Sequence, residues 1–195
     1  MNHRLLCSLA AIGLTYAGAA TADDQYPKIK GNYAGVGNTV CLVAPGGFNA
    51  SLVAINPAAA YSTTSNTEGI WYYDGNGHGT SSGTNVFVDP PPTPGFNPGA
   101  GSNTFASTFT YTVNSDGTFT QTSTDTHGTF LTGTRAGQTF AIDFIQGTGL
   151  IGRDAHSLTD ATTTPYVETQ TFSNGNVHTR ICYRQRVMVK IDDGQ

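Results

Sequence analysis

The sequence predicts an all-β domain, an antiparallel up-and-down meander that closes into a β-barrel of about eight or more strands. Three observations lead there. Apolar residues recur with a period of two, and no window beyond the first 22 residues shows helical spacing. Turn signals separate these runs at short intervals. Two cysteines, Cys41 and Cys182, fall in the first and the last predicted strands. A closed up-and-down barrel makes those two strands neighbours.

The period is clearest from Phe105 to Val113. Phe105, Phe109, Tyr111 and Val113 share one face, and Ala106, Thr108, Thr110 and Thr112 share the other. The last segment repeats it, with Val177, Ile181, Tyr183, Val187, Val189 and Ile191 on one face and His178, Arg180, Arg184, Arg186 and Lys190 on the other. It reads as one long strand, half buried and half wet. Trp71 with Tyr73, and Tyr166 with Phe172, are further same-face aromatic pairs. Asp74-Gly75-Asn76-Gly77, Asn114-Ser115-Asp116-Gly117, Arg135-Ala136-Gly137-Gln138 and Ser173-Asn174-Gly175-Asn176 punctuate the runs, and Asn-Gly and Asp-Gly supply the positive φ that tight hairpins need. Two stretches break the rhythm. Pro45 to Glu68 holds a short strand-like run and a helical turn at Asn56-Pro57-Ala58-Ala59-Ala60. The Pro/Gly-rich segment 89–101 reads as a long exposed loop.

Residues 1–22 have a basic start, an apolar run from Leu5 to Ala20, and the small-residue site Ala20-Thr21-Ala22, the pattern of a cleaved secretory signal peptide. The apolar run is too short to span a bilayer, and no other stretch is long enough for a membrane span. Residues 23–195 are then one domain, secreted or periplasmic. Cleavage removes Cys7 and leaves Cys41 and Cys182, an even pair expected to form a disulfide in that oxidising setting. So long a loop stabilises by roughly 4 kcal/mol in the chain-entropy account. With no CxxC spacing, no metal site is expected, and nothing points to a cofactor.

The formal net charge is −4, and residues 31–134 contain no Lys or Arg. Phosphate-backbone binding needs a basic face, so a nucleic-acid partner is not expected. Gly147-Thr148-Gly149-Leu150-Ile151-Gly152 spells G-x-G-x-x-G, but no helical period follows it, and a chain with 24 glycines produces such a match by accident. Asp74 to Gly79 imitates a calcium loop, yet Asn85 stands where the bidentate acid is required. No GxSxG, HExxH or Cys–His pair is present.

The run from Thr118 to Asp125 differs from the others. Threonines line one face, and Phe119, Gln121, Ser123, Asp125 and then His127 line the other. Such a strand is either a wet ribbon or the wall of a polar cavity. Asp125 with His127, and Asp154 with His156, are acid–imidazole pairs, the minimum for general acid–base chemistry. Glu168 shares a face with Tyr166 and Gln170. Ordinary solvated strand residues explain the same pattern, because period-two parity does not say which face is inside.

Gly31-Asn32-Tyr33 in the first strand resembles the G-x-W start of lipocalin-like (calycin) barrels, with Tyr in place of Trp. The resemblance implies that Arg180 or Arg184 packs over that aromatic, and that the barrel takes an apolar ligand. The expected function is a binding module for a small, partly apolar ligand, with Phe109, Tyr111, Gln121, Asp125, His127, His156 and Glu168 as candidate binding residues. A structural or self-associating surface protein is the alternative, and a barrel isomerase or cyclase the second. A lined cavity favours binding, a filled interior favours the surface role, and a cavity holding the acid–His pairs favours catalysis.

Overall fold

A computed structural model describes residues 28–89 and 99–193. The predicted signal peptide and the centre of the Pro/Gly-rich segment lie outside the described residues. The strands are β1 (Lys30–Ala44), β2 (Tyr61–Asp74), β3 (His78–Asp89), β4 (Gly99–Val113), β5 (Thr118–Phe130), β6 (Thr139–Ile142), β7 (Ile145–Ile151), β8 (Ser157–Ala161), β9 (Val167–Phe172) and β10 (Val177–Asp192). Two short 3-10 turns, Pro57–Ala59 and Arg153–Ala155, are the only helical pieces among the described residues. No helix there is long and apolar enough to cross a membrane.

Every pairing is antiparallel. Each strand pairs with the next from β1 to β5; β6 and β7 then both pair with β5, and β8 and β9 both pair with β10. Each of those two couples is one interrupted stave, so the ten strands make a ring of eight, uneven about its axis. The ring closes where β1 runs against β10, from Asn32 opposite Asp192 to Ala44 opposite Thr179. The predicted disulfide sits on that seam, joining the directly opposed residues Cys41 and Cys182. The hairpin turns form as expected. Asp74 Oδ1 accepts from the backbone N–H groups of Asn76 and His78, while Gly75 and Gly77 take φ of 84° and 96°. Between β1 and β2 the helical turn is present at Pro57–Ala59, but the strand-like run there is reduced to one bridge, Phe48 to Ala54. The predicted loop 89–101 is shorter than expected, since Asp89 and Gly99 already pair across β3 and β4.

The interior has two aromatic layers. At one end Tyr73 receives Tyr33, Phe109, Tyr111 and Phe119 edge-on at 5.0–6.5 Å between centroids, with Trp71, Leu158 and Met188 beside them. At the other, Phe87, Phe130, Phe140, Ile142 and Phe172 pack together. Eight staves enclose little more than their own side chains, and the rings fit because glycine often stands opposite them. A Cβ on Gly149 would lie 2.4 Å from the Phe119 ring, and one on Gly79 would lie 2.3 Å from the Phe109 ring.

Three expectations about facing are corrected. On β10 the apolar face is the one turned to solvent: Tyr183, Val187, Val189 and Ile191 are exposed, while Arg184 and Met188 are buried with Cys182. On β5 a bulge flips the parity. Thr108 of β4 faces Asp125 and Thr110 faces Thr122, so two β5 residues, Ser123 and Thr124, span one on β4. Gln121 and Ser123 therefore point in, then Thr126 and Phe130, and Asp125 and His127 are outside. Asp154 and His156 do not sit together on one strand face. The turn Arg153–Ala155 intervenes, with Asp154 at φ 59°, and Leu150 is exposed while Leu158 is fully buried.

Candidate ligand cavity

Between the two aromatic layers lies a cavity of about 160 Å³. Trp71 and Phe105 form its floor, their rings tilted at 43° with centroids 6.1 Å apart. Gly35 and Gly37 of β1 make this floor possible. A Cβ on Gly35 would stand 2.9 Å from Trp71 Cζ3, and one on Gly37 would stand 2.4 Å from Arg186 Cγ. With no side chains of their own, they let the indole and the aliphatic stem of Arg186 lie against the inner face of β1.

The walls are polar. On one side Ser107, Ser123 and Thr126 hydrogen-bond among themselves at 2.6, 2.8 and 3.1 Å. Thr126 joins them only because the β5 bulge turns it inward. Gln121 Oε1 accepts from Tyr73 Oη at 2.8 Å, and Asn85 donates to Asn103 at 2.8 Å. On the other side stand Asp160 of β8, Gln170 of β9, and Arg180, Arg184 and Arg186 of β10. At the mouth the Arg135 guanidinium lies 4.4 Å from the Phe130 ring centroid, 5.0 Å from Phe87 and 5.5 Å from Phe172.

The charges in the wall are paired. Glu168 Oε1 accepts from Arg180 Nε at 2.6 Å and from Arg184 Nη2 at 2.5 Å, and Arg180 Nη1 also donates to Gln170 Oε1 at 2.8 Å. Burial pushes the Glu168 carboxyl up, but Arg184 and Arg180 outweigh it and hold it below its ordinary value. Asp160 Oδ1 lies 3.2 Å from Arg186 Nε, yet neither Asp160 oxygen receives a hydrogen bond. The contact is electrostatic. Arg186 also lies 5.4 Å from the Trp71 ring centroid, and Trp71 Nε1 is likewise buried without a hydrogen-bond partner. Asp160 and Trp71 both line the cavity. Cys41, Cys182 and Glu168 cluster closely enough to suggest a metal site, but both sulfurs are used in the disulfide.

The structure separates the sequence candidates into three groups. Gln121 lines the cavity. Phe109 and Tyr111 are buried in the aromatic layer below it, where Tyr111 Oη donates to Ile29 O, and Glu168 is fully buried, where it holds Arg180 and Arg184 in the wall. Asp125, His127 and His156 are exposed on the outside, with Asp125 and His127 3.4 Å apart. The arginine implied by the lipocalin-like resemblance is not over Tyr33. Arg180 and Arg184 engage Glu168, while Tyr33 Oη donates to Ala155 O and seals the closed end.

Asp160, Trp71 and Arg186 were not among the expected site residues. One signal for them was present. Cys182 has the parity of Arg180, Arg184 and Arg186, so a buried disulfide at Cys182 puts those arginines inside. Set against known protein families and curated protein sequences, the chain matches none.

Proposed function

We propose that this chain is an exported binding barrel that holds a small, partly apolar ligand in the cavity above Trp71. The observation that carries the reading is the cavity itself, with an aromatic floor and polar walls, whose lining includes two residues, Asp160 and Trp71, that keep buried side-chain polar atoms without a hydrogen-bond partner. Leaving a buried polar group unsatisfied costs about 1–3 kcal/mol, and a lining that combines such groups with aromatic rings suits an occupant that is part polar and part apolar. The buried disulfide fits export to an oxidising compartment. Native mass spectrometry against a library of single-ring compounds tests the reading. Saturable binding that disappears in Ser65→Leu, which fills the cavity from β2, is expected. No binder in the library, and no adduct on protein purified from its host, would overturn it.

A second reading, surface association, is favoured by the exterior of β1 and β10. Val36 is 64% exposed and its cross-strand partner Val187 53%, with Val189 and Ile191 continuing the apolar stripe. Sedimentation velocity decides it: a dimer that Val187→Lys dissolves supports association, and a monomer at all concentrations removes it. The isomerase or cyclase alternative draws no support from the cavity, because both acid–His pairs lie outside it.

A further inference from the structure

The wall formed by β8, β9 and β10 carries more positive than negative charge. Three guanidiniums, Arg180, Arg184 and Arg186, line the cavity from β10, and among the described residues two carboxylates, Glu168 and Asp160, pair with them. One positive charge is in excess. It stands against a formal net charge of −4 for the chain and a stretch, residues 31–134, without any Lys or Arg.

Arg186 presents that charge to the cavity. Arg180 and Arg184 both donate to Glu168. Asp160 lies 3.2 Å from Arg186 Nε but accepts no hydrogen bond, and among the described residues the Arg186 side chain donates none. Its fork of N–H groups is unused. None of its nitrogens belongs to the buried polar atoms that lack a partner, so each keeps accessible surface. The guanidinium lies inside the barrel, 5.4 Å from the Trp71 ring centroid, and the space it reaches is the cavity that both residues line. The Asp160 oxygens are sealed by contrast. An occupant meets the guanidinium, not the carboxylate behind it.

The amides of the lining add donors. Gln121 and Gln170 use their oxygens to accept from Tyr73 and Arg180, which leaves their NH2 groups to donate. Open guanidinium and amide N–H groups suit an occupant that accepts hydrogen bonds and carries negative charge. A carboxylate matches the planar guanidinium fork with two parallel N–H···O bonds, and one excess positive charge matches one carboxylate. The volume, about 160 Å³, is close to the roughly 150 Å³ that accommodates benzene, which limits the apolar part to about one ring. The lining extends along β2 from Trp71 to Tyr61, so the ring need not lie directly over the group that holds the charge.

We propose that the cavity binds a single-ring aromatic monocarboxylate, its carboxylate on the open N–H groups of Arg186 and its ring against Trp71 and Phe105. This rests on the binding reading above and adds the charge and class of the ligand.

The experiment titrates the disulfide-intact protein by calorimetry with benzoate and with three compounds that keep the ring and change its headgroup: neutral benzamide, cationic benzamidine, and toluene. Benzoate should bind saturably and about tenfold or more tighter than the other three, the margin expected of a charge-assisted hydrogen bond. Arg186→Gln, shown to be folded by near-ultraviolet circular dichroism, should lose that margin. Should the variant not fold, the Arg186 Nε–H resonance of the parent protein reads the same contact: benzoate should shift it and toluene should not. Tightest binding of benzamide, benzamidine or toluene overturns the carboxylate assignment and leaves the binding barrel standing. Unchanged benzoate affinity in Arg186→Gln overturns it, as does a benzoate-induced shift of Arg135 Nε–H at the mouth without one at Arg186. Failure of all four probes also overturns it, while the broader library above decides separately whether the barrel binds anything.

Discussion

Arg186 of β10 and Asp160 of β8 face each other on one antiparallel rung, with Nε 3.2 Å from Oδ1 and side chains only 13% and 1% exposed. The two ends of this pair are not equivalent. Arg186 has a second contact, with the Trp71 ring, whereas the Asp160 side chain receives no hydrogen bond. Removing one partner of a buried ion pair costs about 3–5 kcal/mol when the other charge is stranded. Arg186→Met strands the carboxylate and should destabilise by about 3 kcal/mol. Asp160→Asn leaves a guanidinium that keeps its aromatic contact, and should cost about 1 kcal/mol. Urea denaturation of the two variants measures the difference, and equal losses would contradict it.

The Glu168 cluster predicts an acid limit to stability. In the folded protein Arg184 and Arg180 hold the Glu168 carboxyl below its ordinary value, so the unfolded chain takes up that proton first as pH falls. The stabilisation is complete above the unfolded value of about 4.3. It fades as pH drops through the lower folded value. Glu168→Gln should lose about 3 kcal/mol at pH 7, because two buried arginines lose their counter-charge. That variant should also lose less on further acidification than the parent. Melting curves from pH 7 down to pH 2.5 check both, and parallel acid slopes in parent and variant would refute the assignment.

The glycines that face rings are predicted to be intolerant in proportion to contact. A Cβ on Gly149 would come within 2.1 Å of Thr159 O as well as touching Phe119, while one on Gly99 meets nothing within 4 Å among the described residues. Gly149→Ala should cost about 2–3 kcal/mol, as overpacking a rigid wall does. Gly99→Ala should be neutral within about 0.5 kcal/mol. Thermal shifts of the two variants, measured side by side, decide the matter.

Removing the seam disulfide should destabilise without opening the barrel. Cys41 and Cys182 are 141 residues apart in sequence, so the bond restricts the unfolded chain far more than the folded one. Cys41→Ala with Cys182→Ala should lower stability by about 4 kcal/mol. The β1–β10 ladder should persist, because its register runs along the whole seam. Amide exchange of Val40 and Tyr183 reads the ladder directly, and loss of protection there in the folded double variant would contradict this.

Much of the architecture was legible in the chain because its signals are local. Asp74-Gly75-Asn76-Gly77 makes its own turn, and Phe105 to Val113 carries its own alternation. The site was less legible for two reasons. Its unpartnered polar atoms come from β2 and β8, which are far apart in sequence and touch the cavity only after the ring closes. And β10, read by hydrophobicity, presents its apolar face as the natural inside, whereas Arg180, Arg184 and Arg186 are drawn inward to the buried acids Glu168 and Asp160.

Alternation, the positions of the turns and the joining of the first and last strands through Cys41 and Cys182 can all be read from the chain alone. Those features depend on neighbours along the chain or on one covalent bond. Which way each face points is set by the closed ring. Alternation of period two is the same pattern whichever face is inside, and one extra residue exchanges the faces. The β5 bulge does this between Ser123 and Asp125, bringing Thr126 to the cavity and sending Asp125 and His127 to the solvent.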